Sequence, residues 1–475
     1  MSKRGRHSPT KRELLAENAR LRERVEILEA LVTELRAELA KLRKDSSTSS
    51  KPPSSDIVKP PKPPAPNGTA KRKRGGQPGH PRHERPAFPP DQVDAVHDYT
   101  LEVCPDCACP NLQPSNREPL IFQQAEAVAK PFRVEEHRAH AYICPRCEKI
   151  LYAPLPEDVK KAGLFGPRLT AQVAYLKGAG HLSYSTAQRY LRDVMGLEVS
   201  RGFLAKVIRK VTGALKDPYA ELLDLLAEEA VLNVDETGHK ENGDRMWTWC
   251  FRAQDFTLFK IDPSRGTQVL FDVLGEEFSG VLGCDYYGAY RKFMRVLDLR
   301  VQFCLAHLIR DLKFLTTLPD RQTADYGERL LEEMRALFHI IHRREKMGKN
   351  AFAAALHMQR RHILRIAIRG APGTRYAQSM VKRFEQHGEA YFQFITTPGL
   401  EPTNNLAEQA IRFVVIDRLI TQGTRGEAGR QWSERIWTVL ATSALQGRSA
   451  YDYLVDAVLA HFQGQTAPSL LRDTP

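Results

Sequence analysis

The chain has 475 residues, of which 42% are hydrophobic and 27% are charged, ordinary values for a soluble protein of two to four domains. No apolar run approaches the roughly 18 to 20 residues of a membrane span, and the first residues lack the apolar segment of a secretory signal. Eight cysteines are too few for a disulfide scaffold, so a reducing cytoplasm is expected. The net charge of +13 lies mainly before residue 90, with 21 basic against 10 acidic side chains, which suggests a polyanionic partner such as nucleic acid.

Leucines recur every seven residues along the first predicted helix. With leucine at d, the seam positions are Leu14, Leu21, Leu28, Leu35 and Leu42 at d and Asn18, Val25, Val32 and Leu39 at a. Valine at a with leucine at d favours a parallel two-stranded coiled coil, and one buried asparagine at a fixes its register. The pattern therefore predicts a homodimer, although a lone amphipathic surface helix would have the same periodicity.

The next segment is dominated by Ser, Pro and Lys, and 12 of the 30 prolines lie between residues 45 and 90. This composition predicts a semi-rigid linker without a packed core. Within it, Lys71, Arg72, Lys73 and Arg74 precede a Gly-Gly-Gln-Pro-Gly-His stretch. Such a strip is able to follow a phosphate backbone or enter a minor groove, and a solvated basic linker is an equally good interpretation.

Two Cys-x-x-Cys pairs follow, separated by 36 residues. The four cysteines are Cys104, Cys107, Cys144 and Cys147, and they predict a structural Zn²⁺ site with four thiolate ligands. Two separate redox motifs are the alternative, but neither pair opens a helix of a βαβ unit. Cys109 is interpreted as a non-ligand. The alternation of polar and apolar residues over 132–143 predicts a strand between the two pairs.

Helical patterns cover 167–177, 185–195 and 201–213, and the last two are joined by a short turn at Gly196. This arrangement is typical of a helix-turn-helix, although a structural helical connector has the same pattern. The basic residues that a helix-turn-helix would present to DNA are Arg201, Lys206, Arg209 and Lys210.

Three short apolar runs then predict an antiparallel meander over 230–235, 246–251 and 256–261, with Asp235 ending the first run. A helix is predicted over 264–274. A further strand ends in Asp285, and another, 300–304, leads into a helix from Ala306. This order is that of a ribonuclease-H-like fold, in which the first and fourth strands are neighbours. Two neighbouring carboxylates imply a divalent cation, whereas each aspartate taken alone would more often cap a turn or helix.

A third carboxylate, Glu408, lies early in a predicted helix that opens at Thr403 or one of the asparagines that follow. We expect Leu406, Ala410 and Ile411 to face the sheet. The alternative role for Glu408 is an ion pair with Arg412 one turn later.

These motifs together resemble the DDE transposases of bacterial insertion sequences, specifically the insertion sequence 66 family. The resemblance covers nearly the whole chain and includes the zipper, the paired cysteines and the stretches at 74–80, 233–238, 261–266, 284–290, 304–312 and 404–408. It departs from the family at His239, where relatives commonly have an aromatic residue, and in the less regular basic run after His80.

The resemblance implies that Asp235, Asp285 and Glu408 are the catalytic acids and hold Mg²⁺ or Mn²⁺. Asp235 would bridge two ions, one activating water or a DNA 3′-hydroxyl and the other stabilising the leaving oxygen. Asn404 and Asn405 are expected to support the acids. His307 has two open roles, contact with phosphate or metal and a hydrogen-bonded position in the core. The function implied is metal-dependent cleavage of the ends of an insertion sequence and strand transfer into target DNA.

The expected fold class is a multidomain α/β protein. Its predicted parts are a coiled coil at 1–45, a basic linker at 46–90, a zinc-binding domain at 91–160, a helix-turn-helix-like region at 161–225, a ribonuclease-H-like catalytic domain at 226–450 with a helical insertion at about 320–395, and a C-terminal helix and tail at 451–475. The expected partners are double-stranded DNA, a second copy of the chain and accessory proteins of the same element, at the bacterial nucleoid. A ribonuclease-H-like nuclease or junction resolvase is one alternative, and a non-catalytic zinc-and-zipper regulator is another.

Overall fold

The structure is a computed structural model. It describes residues 10–42, 44, 87–102, 105–108, 110, 121, 123–125, 128, 131–143, 145–146 and 150–471. The chain forms two compact units, residues 1–60 with 137–475 and residues 61–136. Helices long and apolar enough to cross a membrane are absent from the described ranges.

The predicted zipper is one continuous helix, α1 (Lys11–Leu42). Its leucine and valine seam positions are about half exposed along the single chain, between 43% for Val32 and 55% for Leu35, with Leu42 more exposed. A continuous helix with an exposed apolar stripe is what the heptad pattern requires, and the coiled coil itself stays a prediction.

In the cysteine-containing region, Cys107 is exposed, whereas Cys104, Cys109, Cys144 and Cys147 lie outside the described residues. So do the basic residues at 71–74. Strands β1 (Ala141–Ile143) and β2 (Ile150–Tyr152) pair antiparallel and flank the second cysteine pair. The predicted strand over 132–143 is wrong for most of its length. Residues 133–140 are almost all exposed and do not form a strand, so their alternation of polar and apolar residues does not mark the buried face of a sheet.

The predicted helical region contains α2 (Glu157–Ala162), α3 (Pro167–Gly178), α4 (Tyr184–Asp193), α5 (Arg201–Ala214) and α6 (Lys216–Leu225). Ser183 and Ser200 are the N-caps of α4 and α5, because each hydroxyl accepts a hydrogen bond of 3.1 Å from the amide three residues later. Gly196 has a φ of +67°, a left-handed conformation that glycine adopts without strain and that stops α4 from continuing.

The main sheet has five strands in the order β5-β4-β3-β6-β7. They are β3 (Val231–Glu241), β4 (Asp244–Arg252), β5 (Thr257–Asp262), β6 (Val281–Cys284) and β7 (Val301–Phe303). β3, β4 and β5 form an antiparallel meander, and β6 lies parallel to both β3 and β7. The first and fourth strands of this sheet are therefore neighbours, as the element order predicts.

Two elements differ from their predicted bounds. β3 continues six residues past Asp235, because its ladder with β4 runs to the pair Glu241 and Asp244. Helix α7 (Gln268–Leu274) begins later than predicted. The Ser264 amide donates to the Asp262 carboxylate and the Gly266 amide donates to the Ser264 hydroxyl, so residues 262–266 form a turn instead of helix.

Helices α8 (Gly288–Leu297) and α9 (Leu305–Thr316) follow β6 and β7. The predicted helical insertion consists of α10 (Arg321–His342), α11 (Lys349–Arg369) and α12 (Arg375–His387). The last three helices are α13 (Asn405–Thr421), α14 (Gly426–Leu445) and α15 (Ala450–Gln463). The predicted buried face of α13 is wrong at Leu406, which is 37% exposed, because the buried row is Ala407, Ile411 and Val414.

Helix α14 covers the edge of the sheet that β5 forms. Three alternate amides of β5, those of Thr257, Phe259 and Ile261, donate hydrogen bonds to side chains on α14. Their acceptors are Thr442 and Thr438 at 3.1 Å and Glu434 at 2.7 Å, one helical turn apart. Two strand residues and one helical turn advance by similar distances, so a single row of side chains satisfies the edge amides. This pairing blocks addition of another strand at β5.

Candidate active site

The two predicted aspartates lie on neighbouring parallel strands. β3 and β6 pair at Asn233 and Gly283, and Asp235 and Asp285 each follow two residues later. Because side chains alternate along a strand, both carboxylates point to the same face of the sheet, from strands about 5 Å apart. The Asp285 carboxylate accepts a hydrogen bond of 2.8 Å from the Tyr287 amide, and Asp235 accepts one of 3.0 Å from the Glu236 amide.

A buried asparagine, Asn404, links the helix that carries the third carboxylate, Glu408, to the strand that carries Asp235. The side chain of Asn404, at the start of α13, donates to the Val234 carbonyl oxygen at 2.8 Å and accepts from Asn233 Nδ2 at 3.0 Å. Its backbone amide donates to Cys304 Sγ at 3.2 Å. Glu408 lies one turn further along α13, and its amide donates to the Asn404 carbonyl oxygen. The helix that carries Glu408 is thereby attached to the strand that carries Asp235.

Gly283 makes room for this network. A Cβ atom at this position would lie 2.4 Å from Asn233 Nδ2, closer than two such atoms can approach. Glycine at 283 is therefore required for Asn233 to lie across β6 and reach Asn404.

The pKa values of all three acids are raised above their usual values. Burial raises the pKa of Asp235 well above its usual value, and the negative charges of Glu236, Asp285 and Glu408 raise it further. Burial and the charge of Glu236 raise the pKa of Asp285 to about 6, although Arg265 and Arg383 oppose the shift. Burial also raises the pKa of Glu408. Carboxylates gathered in this way repel one another unless a cation lies between them.

A fourth carboxylate next to the acids is neutralised within the protein. Glu236, 1% exposed as a side chain, pairs with Arg265 at 2.6 Å and accepts a short hydrogen bond from the Tyr290 hydroxyl. The Arg265 guanidinium stacks on the Tyr287 ring, 4.0 Å from its centroid. Glu236 is thus held by a cation and a hydroxyl, whereas Asp235 on the adjacent position of β3 faces the other acids. This pairing was not foreseen from the sequence, although both residues lie in the stretches that carry the family resemblance.

Glu408 faces α9 instead of Arg412 on its own helix. Its two oxygens lie 3.5 Å from His307 Nδ1 and 3.8 Å from Arg310 Nη2. Glu408 Oε1 is buried and has no hydrogen-bond partner among the described residues. A buried carboxylate oxygen without a donor is free to bind a cation, and a set of three carboxylates suits the oxygen preference of Mg²⁺. The residues present therefore fit the divalent metal that the family suggests.

A mixed cluster beside the acids fits a metal less well. The ligand atoms of Cys304, His307 and Glu408 all lie within 4.8 Å of one another. Arg310 Nη1 lies 3.3 Å from His307 Nε2, and since arginine only donates, Nε2 must accept and the ring proton belongs on Nδ1. That nitrogen lies 3.5 Å from Glu408 Oε1 and makes no hydrogen bond to it. Burial lowers the pKa of His307 to about 4, so the ring is neutral. We therefore interpret His307 as a neutral buried histidine that packs beside Glu408 and accepts a hydrogen bond from Arg310.

The predicted DNA-contact residues of α5 do not all have the same surroundings. Arg201, Lys206 and Arg209 are exposed. Lys210 is half-buried, and its ammonium donates hydrogen bonds of 2.6 and 2.9 Å to the carbonyl oxygens of Lys161 and Ala162 at the end of α2. Lys210 thus caps a helix, which leaves three basic residues of α5 open to a ligand.

The chain matches the Transposase IS66 family over residues 162–431, which includes the sheet, the three acids and the helical insertion. The chain belongs to the IS66 transposase family. Residues 5–86 match a family of unknown function, DUF6444. The chain is also 24% identical over 383 residues to an uncharacterized protein, y4qI, of Sinorhizobium fredii (strain NBRC 101917 / NGR234), covering 73% of this chain and 69% of that protein. Membership in the family implies a DNA-binding enzyme of transposition and suggests a divalent metal.

Proposed function

We propose that this chain is a DDE transposase that binds the ends of its insertion sequence, cuts them in a metal-dependent reaction and joins them to target DNA. The main observation behind this proposal is that Asp285 and Glu408 lie near Asp235, and their negative charges raise its pKa. The sheet order and the parallel pairing of β3 with β6 support a ribonuclease-H-like fold for this domain.

In this proposal the carboxylates of Asp235, Asp285 and Glu408 would hold the divalent metal ions. Bound Mg²⁺ would make water or a 3′-hydroxyl a better nucleophile and stabilise the leaving oxygen during in-line displacement. The protein holds the acids in position. Asn404 fixes α13 on β3, and the Arg265 pairing of Glu236 prevents a fourth free charge from competing for the ions.

DNA capture is assigned to parts outside the acid cluster. Arg201, Lys206 and Arg209 are exposed on α5, the second helix of the helix-turn-helix-like pair, and suit contacts with phosphates or base edges. The basic residues Lys71–Arg74 would add phosphate contacts. Pairing of two chains through α1 would bring two DNA ends together. The four predicted zinc ligands, Cys104, Cys107, Cys144 and Cys147, would stabilise the predicted zinc-binding domain at 91–160.

The test is cleavage and joining of DNA that carries the element's own ends, in Mg²⁺. Asp235→Asn, Asp285→Asn and Glu408→Gln should each lower the cleavage rate by at least about a hundredfold, because each removes an oxygen that holds metal. End binding, measured by gel shift, should stay within about twofold of the wild type. Glu401→Gln, a substitution of the same kind at an exposed residue shortly before α13, should leave both measurements unchanged.

The alternatives give different results in the same assay. Cleavage without joining would favour a nuclease or junction resolvase. Binding of ends with no cleavage by the wild type in Mg²⁺ or Mn²⁺ would favour a regulator. Cleavage that persists in all three acid variants would refute the assignment of the acids.

A further inference from the structure

A cleft of about 380 Å³ opens beside Tyr286, the residue that follows Asp285. Its walls come from α8, α9 and α12. Four cationic side chains line it, those of Lys44, Arg291, Lys382 and Arg383, against a single carboxylate, that of Asp311. The cleft therefore carries an excess of positive charge next to a cluster of acids.

Arg383 is the most constrained of these cations. Its Nη1 donates to Asp311 at 2.7 Å, its Nε donates to the Tyr391 hydroxyl at 2.6 Å, and its guanidinium stacks on the Tyr286 ring, 3.9 Å from the centroid. The side chain is 11% exposed. Two of its nitrogens are thus fixed by the protein. The third, Nη2, is buried and lacks an acceptor within the part of the chain that the structure describes.

Two more unpaired nitrogens lie around the same tyrosine ring. Arg291 packs on Tyr286 at 4.5 Å from the ring centroid, and His387 packs at 5.7 Å. Arg291 Nε and His387 Nδ1 are both buried, and neither has a hydrogen-bond partner among the described residues. The arginine nitrogens Arg383 Nη2 and Arg291 Nε can only donate, so these two buried donors beside one ring point to an acceptor supplied by a ligand.

The ligand must be an anion that fits guanidinium groups and lies close to the acids. Arginine forks match the oxygens of phosphate in spacing and plane. Tyr286 lines the cleft and directly follows Asp285 in the chain, so the cleft and the acid cluster are close in space. A phosphate bound here would lie next to the one held at the acids.

We propose that this cleft binds a phosphodiester of the DNA strand adjacent to the phosphate that is cut, through Arg291, Lys382 and Arg383. The inference rests on the proposed function, because it takes its ligand from the strand that the acids cleave. The cleft would hold the DNA strand at a second point beside the acids, and two points of attachment fix the direction in which the DNA strand runs. The Tyr286 ring packs against the guanidinium groups of both Arg291 and Arg383.

The test uses the full-length chain and oligonucleotides of the element's end in which single phosphates are replaced by neutral methylphosphonates. Binding is measured by gel shift without added Mg²⁺, so that the strand stays intact. For the wild type, neutralising one phosphate beside the cleavage site should weaken binding roughly tenfold. Arg291→Gln and Lys382→Gln should bind the unmodified DNA more weakly and lose less than about twofold on the same replacement. Arg383 is left unchanged, because its loss would also break its contacts to Asp311 and Tyr391.

The control is Arg335→Gln on α10, which removes the same charge from an exposed position. It should keep the full tenfold response to the methylphosphonate. If Arg291→Gln and Lys382→Gln keep that response as well, the cleft does not hold the phosphate and the inference is wrong.

A second arm separates DNA phosphate from free phosphate. Inorganic phosphate at about 10 mM should compete only weakly with the unmodified DNA at this site. Complete competition would identify a general anion site and overturn the DNA assignment. Failure of the proposed function would look different. In that case the wild type would not cut its ends in Mg²⁺, whatever the methylphosphonate pattern of binding.

Discussion

The Asn404 side chain donates a hydrogen bond of 2.8 Å to the backbone carbonyl oxygen of Val234. Val234 immediately precedes Asp235, and Asn404 immediately precedes the helix that carries Glu408. One buried amide therefore sets the distance between two acids that are far apart in the chain. A side chain that is 1% exposed and bonded on both sides has little freedom to move, so it is a rigid link between strand and helix.

Replacing Asn404 by Ala should lower the cleavage rate by roughly tenfold to a hundredfold, because a displacement of about 1 Å at Glu408 misplaces the metal ligands. It should also lower the free energy of unfolding by about 1–3 kcal/mol, because the Val234 oxygen and the Asn233 amide lose their partner. Rates are measured on pre-bound DNA ends, and stability is measured by urea unfolding.

The affinity of the protein for Mn²⁺, measured by electron paramagnetic resonance, distinguishes a positioning role of Asn404 from a purely structural one. A positioning role requires weaker Mn²⁺ binding in the folded variant. The matched control is Asn405→Ala. The sequence predicted a supporting role for Asn405 as well, but its side chain is exposed, so this variant should change neither the rate nor the Mn²⁺ affinity. If Asn404→Ala and Asn405→Ala changed the rate and the Mn²⁺ affinity equally, Asn404 would not be the residue that positions Glu408.

The sequence predicts the sheet well because each strand has a local signal. Short apolar runs bounded by turn residues mark β3 to β7, and the order of elements implies that β3 and β6 are neighbours. The positions of Asp235 and Asp285 relative to each other follow from that order. The strand predicted over 132–143 was wrong because alternation also occurs in exposed segments, and nothing local shows whether a partner strand exists.

The surroundings of Glu408 could not be predicted in the same way. The 122 residues between Asp285 and Glu408 carry no local pattern that says which side chain on α9 will meet α13. His307, Arg310 and Asn404 reach Glu408 or Val234 through tertiary packing, and so does Arg383 on α12 near Tyr286. The buried face of α13 was also predicted wrongly at Leu406, because Ala407 at the next position is the buried residue. A short window of mostly apolar residues does not determine how a helix is rotated about its own axis.

The exposed seam of α1 leads to a prediction about assembly. The double variant Leu21→Glu, Leu28→Glu places charges at two d positions, where they would face each other across a coiled coil. The wild type should elute with the mass of two chains or more in light scattering, and the double variant should shift to the mass of one chain.

The control for the zipper is Ile27→Glu, which lies beside Leu28 and is 62% exposed against 52% for Leu28, but lies off the seam. It should keep the mass of the wild type. A dimer that survives the double substitution would show that chains associate through another surface.

The zinc prediction is tested by metal analysis of the full chain after dialysis. We expect one zinc ion per chain, and Cys107→Ser or Cys147→Ser should reduce that content severalfold, because a four-thiolate site loses a ligand. Cys109→Ser, in the same segment but interpreted as a non-ligand, should retain the full content. A wild-type chain without zinc, or equal loss in the Cys109 variant, would be incompatible with the predicted ligand set.

Glu434 at the edge of β5 makes stability depend on pH. Burial raises its pKa from 4.5 to about 7, although the Ile261 amide and the cations Lys260, Arg430 and Arg435 oppose the shift. The folded state therefore holds this proton more tightly than the unfolded state does. The resulting stabilisation is complete below about pH 4.5 and is lost as the pH rises through about 7.

Glu434→Gln keeps an acceptor oxygen for the Ile261 amide and removes the charge. Its melting temperature should match the wild type near pH 5 and exceed it by several °C at pH 8, where the buried carboxylate costs the wild type on the order of 2–3 kcal/mol. Glu427→Gln on the exposed face of the same helix should show no such dependence on pH. A constant difference between Glu434→Gln and the wild type from pH 5 to 8 would mean that Glu434 is already ionised in the folded protein throughout that range.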